Sequence, residues 1–178
     1  LDVDLVDCEC QPVSSHKPKR CFLCEQPAIV CMREENHSYQ ELRDEISTRI
    51  TAYLAGERQK RVCKQLAACA MKAVLYEVSV SPKPGLVDRF DAGAHHDMDY
   101  FSFLDSSAAL AGYFEELAQA GYTFDDVDMS NALPRIREIG LQMETAMFQA
   151  TGGVNTQKGL IFLLGLSLFS TAYLLARD

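Results

Sequence analysis

Apolar residues recur with a helical period along most of the chain beyond residue 37. Ser38 and Glu41 form a capping-box pattern ahead of an apolar run, which predicts a helix over 38–54. Because Gly56 interrupts this pattern, we expect the helix to end there and a second helix to cover 57–77.

Three further helices are predicted after a long loop. A helix over 100–120 is expected to stop at Gly121, and Pro134 suits the first turn of the next helix. The last helix is expected to begin near Thr156 and to run to the end of the chain. The predicted core positions of the first two of these helices are Phe103, Leu110, Phe114, Leu117, Ile136, Ile139, Met143 and Met147.

The last predicted helix is apolar on all sides, because residues 159–176 carry no charge. This run reaches the length of a membrane span. Two glycines and three Ser or Thr residues dilute it, however, and Lys158 and Arg177 flank it symmetrically. The centre of a helical bundle requires the same pattern. We therefore expect a buried helix and no contact with a membrane.

The first 36 residues differ from the rest of the chain. They are irregular, contain three prolines and carry five of the seven cysteines, and the apolar run at 28–32 fits a strand. The predicted fold class is therefore mainly α: a helical bundle preceded by a short irregular or β Cys-rich tail.

Composition limits the function classes. With 48% hydrophobic and 24% charged residues the chain is typical of a soluble globular protein, and its net charge of -8 argues against nucleic-acid binding. The chain opens without the basic and apolar regions of a signal peptide, so we expect a cytoplasmic protein with reduced cysteines. A homo-oligomer is not excluded.

Cys21 and Cys24 have the spacing of a zinc-ligand pair, with Cys31 and His37 downstream. The spacing to the third and fourth of these residues matches no common zinc finger. A reduced Cys cluster that only packs is therefore the favoured interpretation, and zinc at Cys21, Cys24 and Cys31 is the less favoured alternative.

The loop after residue 77 combines rigidity with candidate chemistry. Its Pro-Lys-Pro-Gly sequence stiffens an extended segment that carries Lys83, Arg89 and two adjacent histidines, His95 and His96. Long loops in compact domains are usually functional or disordered, and the apolar residues of this one favour a site.

Glu77 is expected to continue an apolar stripe of its helix, formed by Val62, Leu66, Ala70 and Ala73. A carboxylate on such a face is costly unless it has a partner or a function. The interpretation as a catalytic group and the interpretation as an ion-pair anchor to Lys83 or Arg89 both remain open.

The segment 152–159 precedes the last predicted helix. Asn155 or Thr156 can cap that helix, and Lys158 adds positive charge near its unpaired N–H groups. Phosphate binding and an ordinary capped helix start both fit this pattern.

His95 or His96 could bind a metal ion with Asp97 and Asp99. Adjacent residues of an extended loop point to opposite sides, so at most one of the two histidines is expected to share a site with Asp97.

Three blocks of the sequence resemble the triphosphoribosyl-dephospho-coenzyme A synthases. They are YEVSVSPKPGLVD at 76–88, GAHHDMD at 93–99 and GVNTQKG at 153–159, with Glu144 between the last two. Residues 1–50 resemble the C-terminal tail of the apo-citrate lyase phosphoribosyl-dephospho-coenzyme A transferase, through LDVDL at 1–5, RCFLC at 20–24, and Cys31, Arg33 and His37. The predicted domains are a transferase-like tail with linker helix at 1–52 and an all-α synthase-like domain at 53–178.

The resemblance implies a transferase that moves the 5-triphosphoribosyl group of ATP to the ribose 2′-hydroxyl of 3′-dephospho-coenzyme A and releases adenine. The product is the precursor of the citrate lyase prosthetic group, so the partner expected for a fused enzyme is the acyl carrier subunit of citrate lyase. The similar malonate decarboxylase pathway is the open alternative, and the transferase-like tail favours citrate lyase. Among the site residues, Glu77 and Asp88 are the predicted acid/base pair, and His95 contacts substrate. The predicted ATP- and substrate-binding residues are Lys83, Gly85, Arg89, Asn155, Thr156 and Lys158. Asp97 and Glu144 are predicted to hold Mg²⁺.

Two features depart from the family pattern. Gln157 stands where the family usually has His, and the family's catalytic domain is longer than the matching segment, so we expect this chain to be part of a longer protein, inactive by itself. The alternative function is a non-catalytic helical module whose zinc-binding Cys-rich knuckle docks an acyl carrier protein or a partner subunit.

Overall fold

The computed structural model describes residues 8–10 and 19–178. The described residues form five α-helices: α1 (Ala28–Arg33), α2 (Tyr39–Ser79), α3 (Tyr100–Tyr122), α4 (Ala132–Ala150) and α5 (Lys158–Leu175). A single turn of 3₁₀ helix, Met129–Asn131, precedes α4. Within the described residues the only β pairing is an isolated bridge between Arg20 and Pro27, and the predicted mainly α fold class is confirmed. The motif at 1–5 lies outside the described residues.

The chain divides into two compact units, Leu1–Ala55 and Gly56–Asp178, here called the N-terminal unit and the C-terminal unit. In the N-terminal unit the apolar run at 28–32 lies in α1, so its predicted strand is wrong. A run this short has no period that distinguishes helix from strand. Pro27 immediately before α1 has a φ of -57°, which already suits a helix start.

Helix α2 begins with the predicted capping box. The Ser38 N–H donates to Glu41 Oε2 at 2.8 Å, and the Glu41 N–H donates to Ser38 Oγ at 3.2 Å. The predicted break at Gly56 is wrong, because α2 continues without interruption to Ser79. A single glycine costs a helix about 1 kcal/mol, and the helix-favouring residues on both sides of Gly56 outweigh that cost.

The core of the C-terminal unit forms where α3, α4 and α5 pack against one another. The predicted inward positions of α4 are all buried, as are three of the four predicted for α3; Phe103 is half-buried. Ala70 and Val74 of α2 join the same apolar cluster. The buried members of the predicted set are Leu110, Phe114, Leu117, Ile136, Ile139, Met143 and Met147.

Helix α3 ends at Tyr122, one residue after the predicted stop at Gly121. A Cβ atom at Gly121 would lie 2.2 Å from the carbonyl oxygen of Phe169 in α5. The residue is therefore glycine because two helix backbones approach each other closely there.

Helix α5 packs one face into this core through Ile161, Gly165, Leu168, Phe169 and Ala172. By length and composition it is the one helix among the described residues that could also cross a membrane, and 28% of its residues are buried. The expectation of a helix buried on all sides is only partly met, since three of its other apolar side chains, Phe162, Leu163 and Leu174, are exposed.

Candidate functional site

The loop between α2 and α3 is organised around the buried carboxylate of Asp88. Four donors point at it: the hydroxyl of Ser81 and the backbone N–H groups of Lys83, Phe90 and Asp91. The Ser81 hydroxyl, followed by the Phe90 N–H, holds the pKa of Asp88 well below its usual range. Asp88 is therefore ionised near neutral pH and its oxygen atoms are occupied by the loop itself.

Two glycines with positive φ close this loop. Gly85 has a φ of 79° and Gly93 a φ of 59°, conformations that residues with a side chain rarely adopt. A Cβ atom on Gly93 would lie 2.6 Å from the carbonyl carbon of Gly85, and the Ala94 N–H donates to the Gly85 oxygen. This close approach brings the segment carrying His95 back against the Pro-Lys-Pro-Gly segment.

The start of α5 is fixed by a buried amide. Gln157 is 4% exposed; its Oε1 accepts from the Ser106 hydroxyl at 2.9 Å, and its Nε2 donates to Ser107 Oγ at 3.4 Å. The N-cap residue of α5 is Gln157, whose side chain makes no capping hydrogen bond, so the predicted cap at Asn155 or Thr156 is wrong. Asn155 Oδ1 nevertheless accepts from the Lys158 N–H at 3.2 Å. The first turn of α5 is thereby held in one position relative to α3.

The loop and the start of α5 together line a cleft of about 450 Å³. Lys83 Nζ lies 2.9 Å from Glu77 Oε1 and 3.0 Å from the Glu77 carbonyl oxygen. Besides Gln157, the residues that line the cleft are Glu77, Lys83, Leu86, Val87, His95, Met98, Phe103, Asn155, Thr156, Gly159, Leu160 and Leu163. Five of the predicted site residues, Glu77, Lys83, His95, Asn155 and Thr156, thus share one cleft.

The hydroxyl oxygen of Thr156 is the one buried side-chain polar atom without a hydrogen-bond partner within 8–10 and 19–178. Buried polar groups are nearly always paired in folded proteins. In the lining of a cleft this hydroxyl is accessible to a ligand or to a water molecule.

Glu77 itself does not lie where its helical pattern predicts. The buried face of α2 in the C-terminal unit shares Ala70 with the predicted stripe. Its other members, Cys63, Val74 and Val78, each lie one residue after the predicted positions 62, 73 and 77. Glu77 is half-exposed and paired with Lys83, so it is not buried within an apolar stripe. The predicted ion pair with Lys83 is present, and this pairing does not exclude a second role in the cleft.

The remaining predicted residues lie outside this cleft. The guanidinium of Arg89 lies 5.2 Å from the ring centre of Phe90, and Asp97 Oδ1 is 4.0 Å from His95 Nδ1. Lys158 and Glu144 form an ion pair of 3.0 Å and line a second cleft of about 390 Å³. Gly85 shapes the loop through its backbone.

Sequence reasoning missed the residues that complete the cleft walls, because their contribution depends on how α3 and α5 pack. Met98, Phe103, Leu160 and Leu163 supply its apolar surface. The adjacent serines of α3 that hold Gln157 did carry a signal, since two hydroxyl residues between Phe103 and Leu110 must find partners when buried.

A second cluster lies in the N-terminal unit. The ligand atoms of Cys21, Cys24, Cys31 and His37 all lie within 4.8 Å of one another. In the part of the chain that the structure describes, no other group of three or more His, Cys, Asp or Glu side chains comes this close, and the group includes neither Asp97 nor Glu144.

The fold and the cleft define an all-helical domain whose proline-rich loop and helix start bring one lysine, one imidazole and one carboxylate into the same cleft. Residues 63–178 match the family model described as CitG: ATP:dephospho-CoA triphosphoribosyl transferase, and the chain belongs to this family. Residues 1–53 match a second model, described as CitX: Apo-citrate lyase phosphoribosyl-dephospho-CoA transferase.

Curated relatives show both similarities. Protein CitXG of Leuconostoc mesenteroides subsp. cremoris is 39% identical over 161 residues, which are 88% of this chain and 34% of that protein. The probable 2-(5''-triphosphoribosyl)-3'-dephosphocoenzyme-A synthase of Lactiplantibacillus plantarum is 51% identical over 104 residues, 58% of this chain and 37% of the relative. A probable synthase of the same name from Streptococcus pyogenes serotype M5 is 46% identical over 118 residues, 66% of this chain and 40% of the relative.

The chain thus spans between about a third and two fifths of the length of these curated relatives. No solved structure matches it.

Proposed function

We propose that this protein takes part in the transfer of the 5-triphosphoribosyl group of ATP to the ribose 2′-hydroxyl of 3′-dephospho-coenzyme A, with release of adenine. The family membership of residues 63–178 gives the reaction class. The observation that carries the proposal is the cleft in which Lys83, His95 and Glu77 meet the start of α5 beside an unpaired Thr156 hydroxyl.

The triphosphate binds at the start of α5. Gly159 and Leu160 line the cleft, and N–H groups in the first turn of a helix have no acceptor within the helix. They attract anions together with the positive end of the helix dipole. The Thr156 hydroxyl donates to a phosphate oxygen, and Lys83 supplies the compensating charge.

Lys83 exchanges partners when the triphosphate arrives. In the free protein its ammonium is paired with Glu77, and its side chain is only 13% exposed. A polyphosphate offers it several stronger acceptors. Glu77 is then released from its ion pair and becomes available as a base.

The transfer makes one bond and breaks one bond at the anomeric carbon of the ATP ribose. The 2′-oxygen of the acceptor attacks this carbon, and the bond to the adenine nitrogen breaks with its electron pair going to adenine. Glu77 takes the proton from the acceptor hydroxyl, and the adenine nitrogen takes a proton from His95. A general acid and a general base placed in this way each typically contribute a factor of about 10² to 10⁴ in rate.

Asp88 is reassigned from the acid/base pair to a positioning role. Its carboxylate is occupied by the four loop donors and does not line the cleft. It holds the backbone of Lys83 in place, so it affects the reaction through that residue. Gly85 permits the turn that this arrangement requires, and Arg89 lies at the exposed edge of the loop.

A divalent cation such as Mg²⁺ is the expected companion of ATP. Asp97 and Glu144 do not fit a metal centre held by the protein, because Asp97 lies beside His95 whereas Glu144 is bound by Lys158 and lines another cleft. Mg²⁺ is bound in proteins mostly by substrate phosphates, waters and one or two carboxylates. No step of the proposed transfer depends on a protein-held ion.

We further propose that residues 1–52 belong to a transferase-like tail and residues 53–178 to the synthase-like domain. The two family matches and the division into two compact units support this boundary. In a protein that carries the whole transferase, the acyl carrier subunit of citrate lyase would be the partner and the cytoplasm the location.

The test measures ATP binding and adenine release separately. Isothermal titration with ATP, adenosine and tripolyphosphate reports the cleft, and mass spectrometry of a mixture with 3′-dephospho-coenzyme A reports free adenine and the product. We expect ATP and tripolyphosphate to bind and adenosine to bind far more weakly. Equal binding of adenosine, or no binding of ATP, would contradict the proposed phosphate grip.

The Glu77→Gln variant tests the proposed base, and Glu57→Gln is its matched control. Both residues lie in α2, are about half-exposed and pair with a lysine at 2.9 Å, but only Glu77 lines the cleft. We expect E77Q to lower adenine release at least about 10²-fold, in the protein that shows this activity, while ATP binding is retained. Activity of E77Q equal to that of E57Q would remove Glu77 from the mechanism.

A further inference from the structure

We propose that Cys21, Cys24, Cys31 and His37 bind one Zn²⁺ ion in the N-terminal unit. The ligand set is three thiolates and one imidazole, and no part of the triphosphoribosyl transfer uses it. The sequence spacing made zinc the less favoured interpretation of this segment, and the folded arrangement reverses that preference.

Local backbone structure explains how four residues with unusual spacing meet. The bridge between Arg20 and Pro27 folds the chain into a tight turn, in which the Cys21 N–H donates to the Gln26 oxygen at 2.9 Å. Both Cys21 and Cys24 lie in this turn. Common zinc knuckles use the same construction, with two cysteines on a turn that is closed by backbone hydrogen bonds.

The other two ligands come from α1 and the residues that follow it. Cys31 lies in α1, and the Asn36 N–H donates to its carbonyl oxygen at 3.1 Å. Glu35 has a φ of 52°, which reverses the chain after the helix. His37 is thereby returned to the turn, where its Nε2 lies 3.3 Å from Cys24 Sγ.

The distances suit tetrahedral coordination. A zinc ion with bonds of about 2.3 Å to sulfur and 2.0 Å to nitrogen places its ligand atoms about 3.5 to 3.8 Å apart. The Sγ atoms of Cys24 and Cys31 are 3.3 Å apart, and all four ligand atoms lie within 4.8 Å of one another. Small side-chain movements therefore convert the cluster into a complete coordination shell.

The chemistry of the ligands selects the metal. Thiolates favour zinc over the hard cations Mg²⁺ and Ca²⁺. Four protein ligands fill a tetrahedral shell, so the site has no open position for a substrate or a water molecule, which is typical of structural zinc. The Leu23 N–H donates to Cys21 Sγ at 3.4 Å, the type of second contact that orients and stabilises a ligand sulfur.

The N-terminal unit also needs such a stabilising element. Among its residues 19–55, Cys31 is the only buried one, and Phe22, Ile29 and Met32 are each more than half-exposed. A small unit without an apolar core is usually stabilised by disulfides or by a metal. A disulfide requires sulfur atoms about 2.05 Å apart, and the Cys24 and Cys31 sulfurs are 3.3 Å apart.

The test is the metal content of the whole chain, produced with zinc in the medium and purified under reducing conditions. After dialysis, elemental analysis should find about one zinc per chain. Titration with a mercurial thiol reagent should release this zinc in step with thiol modification. Replacement by Co²⁺ should give the visible absorption of a tetrahedral cobalt–thiolate centre. A parent protein without zinc, or without this cobalt spectrum, would overturn the proposal.

Cys24→Ser is the informative variant and Cys69→Ser its control, since Cys69 is an exposed cysteine of α2 outside the cluster. We expect C24S to lose the zinc and C69S to keep it. Equal zinc content in the two variants would contradict the site. A thiol titration of the denatured, chelated parent should find all seven thiols free. A disulfide that peptide mapping assigns to Cys21, Cys24 or Cys31 would overturn the proposal. None of these measurements depends on ATP or adenine.

Discussion

The N-terminal and C-terminal units of this chain hold their structures by different means. In the C-terminal unit, Phe114, Met143 and Phe169 are almost completely buried where three helices pack, and burial of apolar surface stabilises it. Among residues 19–55 of the N-terminal unit, by contrast, the single buried residue is Cys31, a member of the Cys–His cluster. One unit depends on the amount of apolar surface that it buries, and the other depends on four side chains.

The difference also separates what each unit can do. In the C-terminal unit, α3, α4 and α5 form a core that can hold the α2–α3 loop in place, with polar groups of that loop lining a cleft. The N-terminal unit has no comparable core among its described residues. Its Cys–His cluster is therefore assigned to stabilising the fold of that unit.

The largest expected effect comes from Phe114→Ala. Its side chain is fully buried in the core of the C-terminal unit, and replacement of such a phenylalanine costs about 3–5 kcal/mol of unfolding free energy. Phe101→Ala in the same helix is the control, because Phe101 is 69% exposed and its loss should change the stability by less than about 0.5 kcal/mol. Urea unfolding followed by circular dichroism measures both. Similar values for the two variants would mean that this core does not stabilise the unit.

The close contact between α3 and α5 predicts the next largest effect. Gly121→Ala would place a methyl group against the Phe169 backbone, which should destabilise the protein by about 1–3 kcal/mol. Gly112→Ala adds the same methyl group to α3 where no atom lies within 4 Å, and it should stabilise the helix by up to about 1 kcal/mol. Thermal unfolding should therefore give shifts of opposite sign. A G121A protein as stable as G112A would refute the close approach.

Asp88→Asn should lower the melting temperature in a manner that depends on pH. The folded-state pKa of Asp88 lies below its ordinary value of 3.8, so the carboxylate stabilises the fold above that pH. This contribution is lost as the pH falls through the folded-state pKa. The difference between D88N and the parent should therefore be full near neutrality and shrink below about pH 4.

Asp97→Asn is the control for this loop, because Asp97 is exposed and its carboxylate lies as far as 4.0 Å from His95 Nδ1. It should change the melting temperature little at any pH. A D88N effect that does not vary with pH, or one matched by D97N, would show that the ionised carboxylate does not hold the loop.

The smallest effect is expected at the start of α2. Ser38→Ala removes the capping hydroxyl and should cost about 1 kcal/mol, whereas Ser47→Ala, at an exposed interior position of the helix, should be neutral or slightly stabilising. Hydrogen exchange of the first turn gives the direct comparison. Unchanged exchange in S38A would mean that the capping box does not contribute.

Local signals in the sequence predicted helical features in both units correctly. The inward positions of α4 and the capping box of α2 depend on residues that are close in sequence, so their patterns identify them. Gly56 was misleading because it lies in the interior of α2 with no atom within 4 Å of an added Cβ, so it marks neither a helix end nor a close contact. For Gly121, only the packed structure shows the close approach of the Phe169 backbone.

The candidate sites were less predictable, because each depends on contacts between distant residues. Gln157 meets Ser106 about fifty positions earlier, and the walls of the cleft form only when α3 and α5 pack. From the sequence, Asp88 could equally be a catalytic or a structural carboxylate. Its hydrogen bonds from Ser81 and from the Phe90 N–H give it a structural role in the loop.

The Cys–His cluster follows no standard spacing of zinc ligands. Its fourth residue, His37, reaches the other three only because the chain reverses at Glu35, and the sequence did not predict this turn.

Hydrogen exchange with mass spectrometry, before and after treatment with a strong chelator, tests the contrast between the two units most directly. If the Cys–His cluster holds the N-terminal unit through zinc, chelation should accelerate exchange across 20–37 at least about tenfold and leave α3 and α4 nearly unchanged. Addition of zinc should restore the slow exchange. Identical exchange of 20–37 with and without chelator would contradict the account.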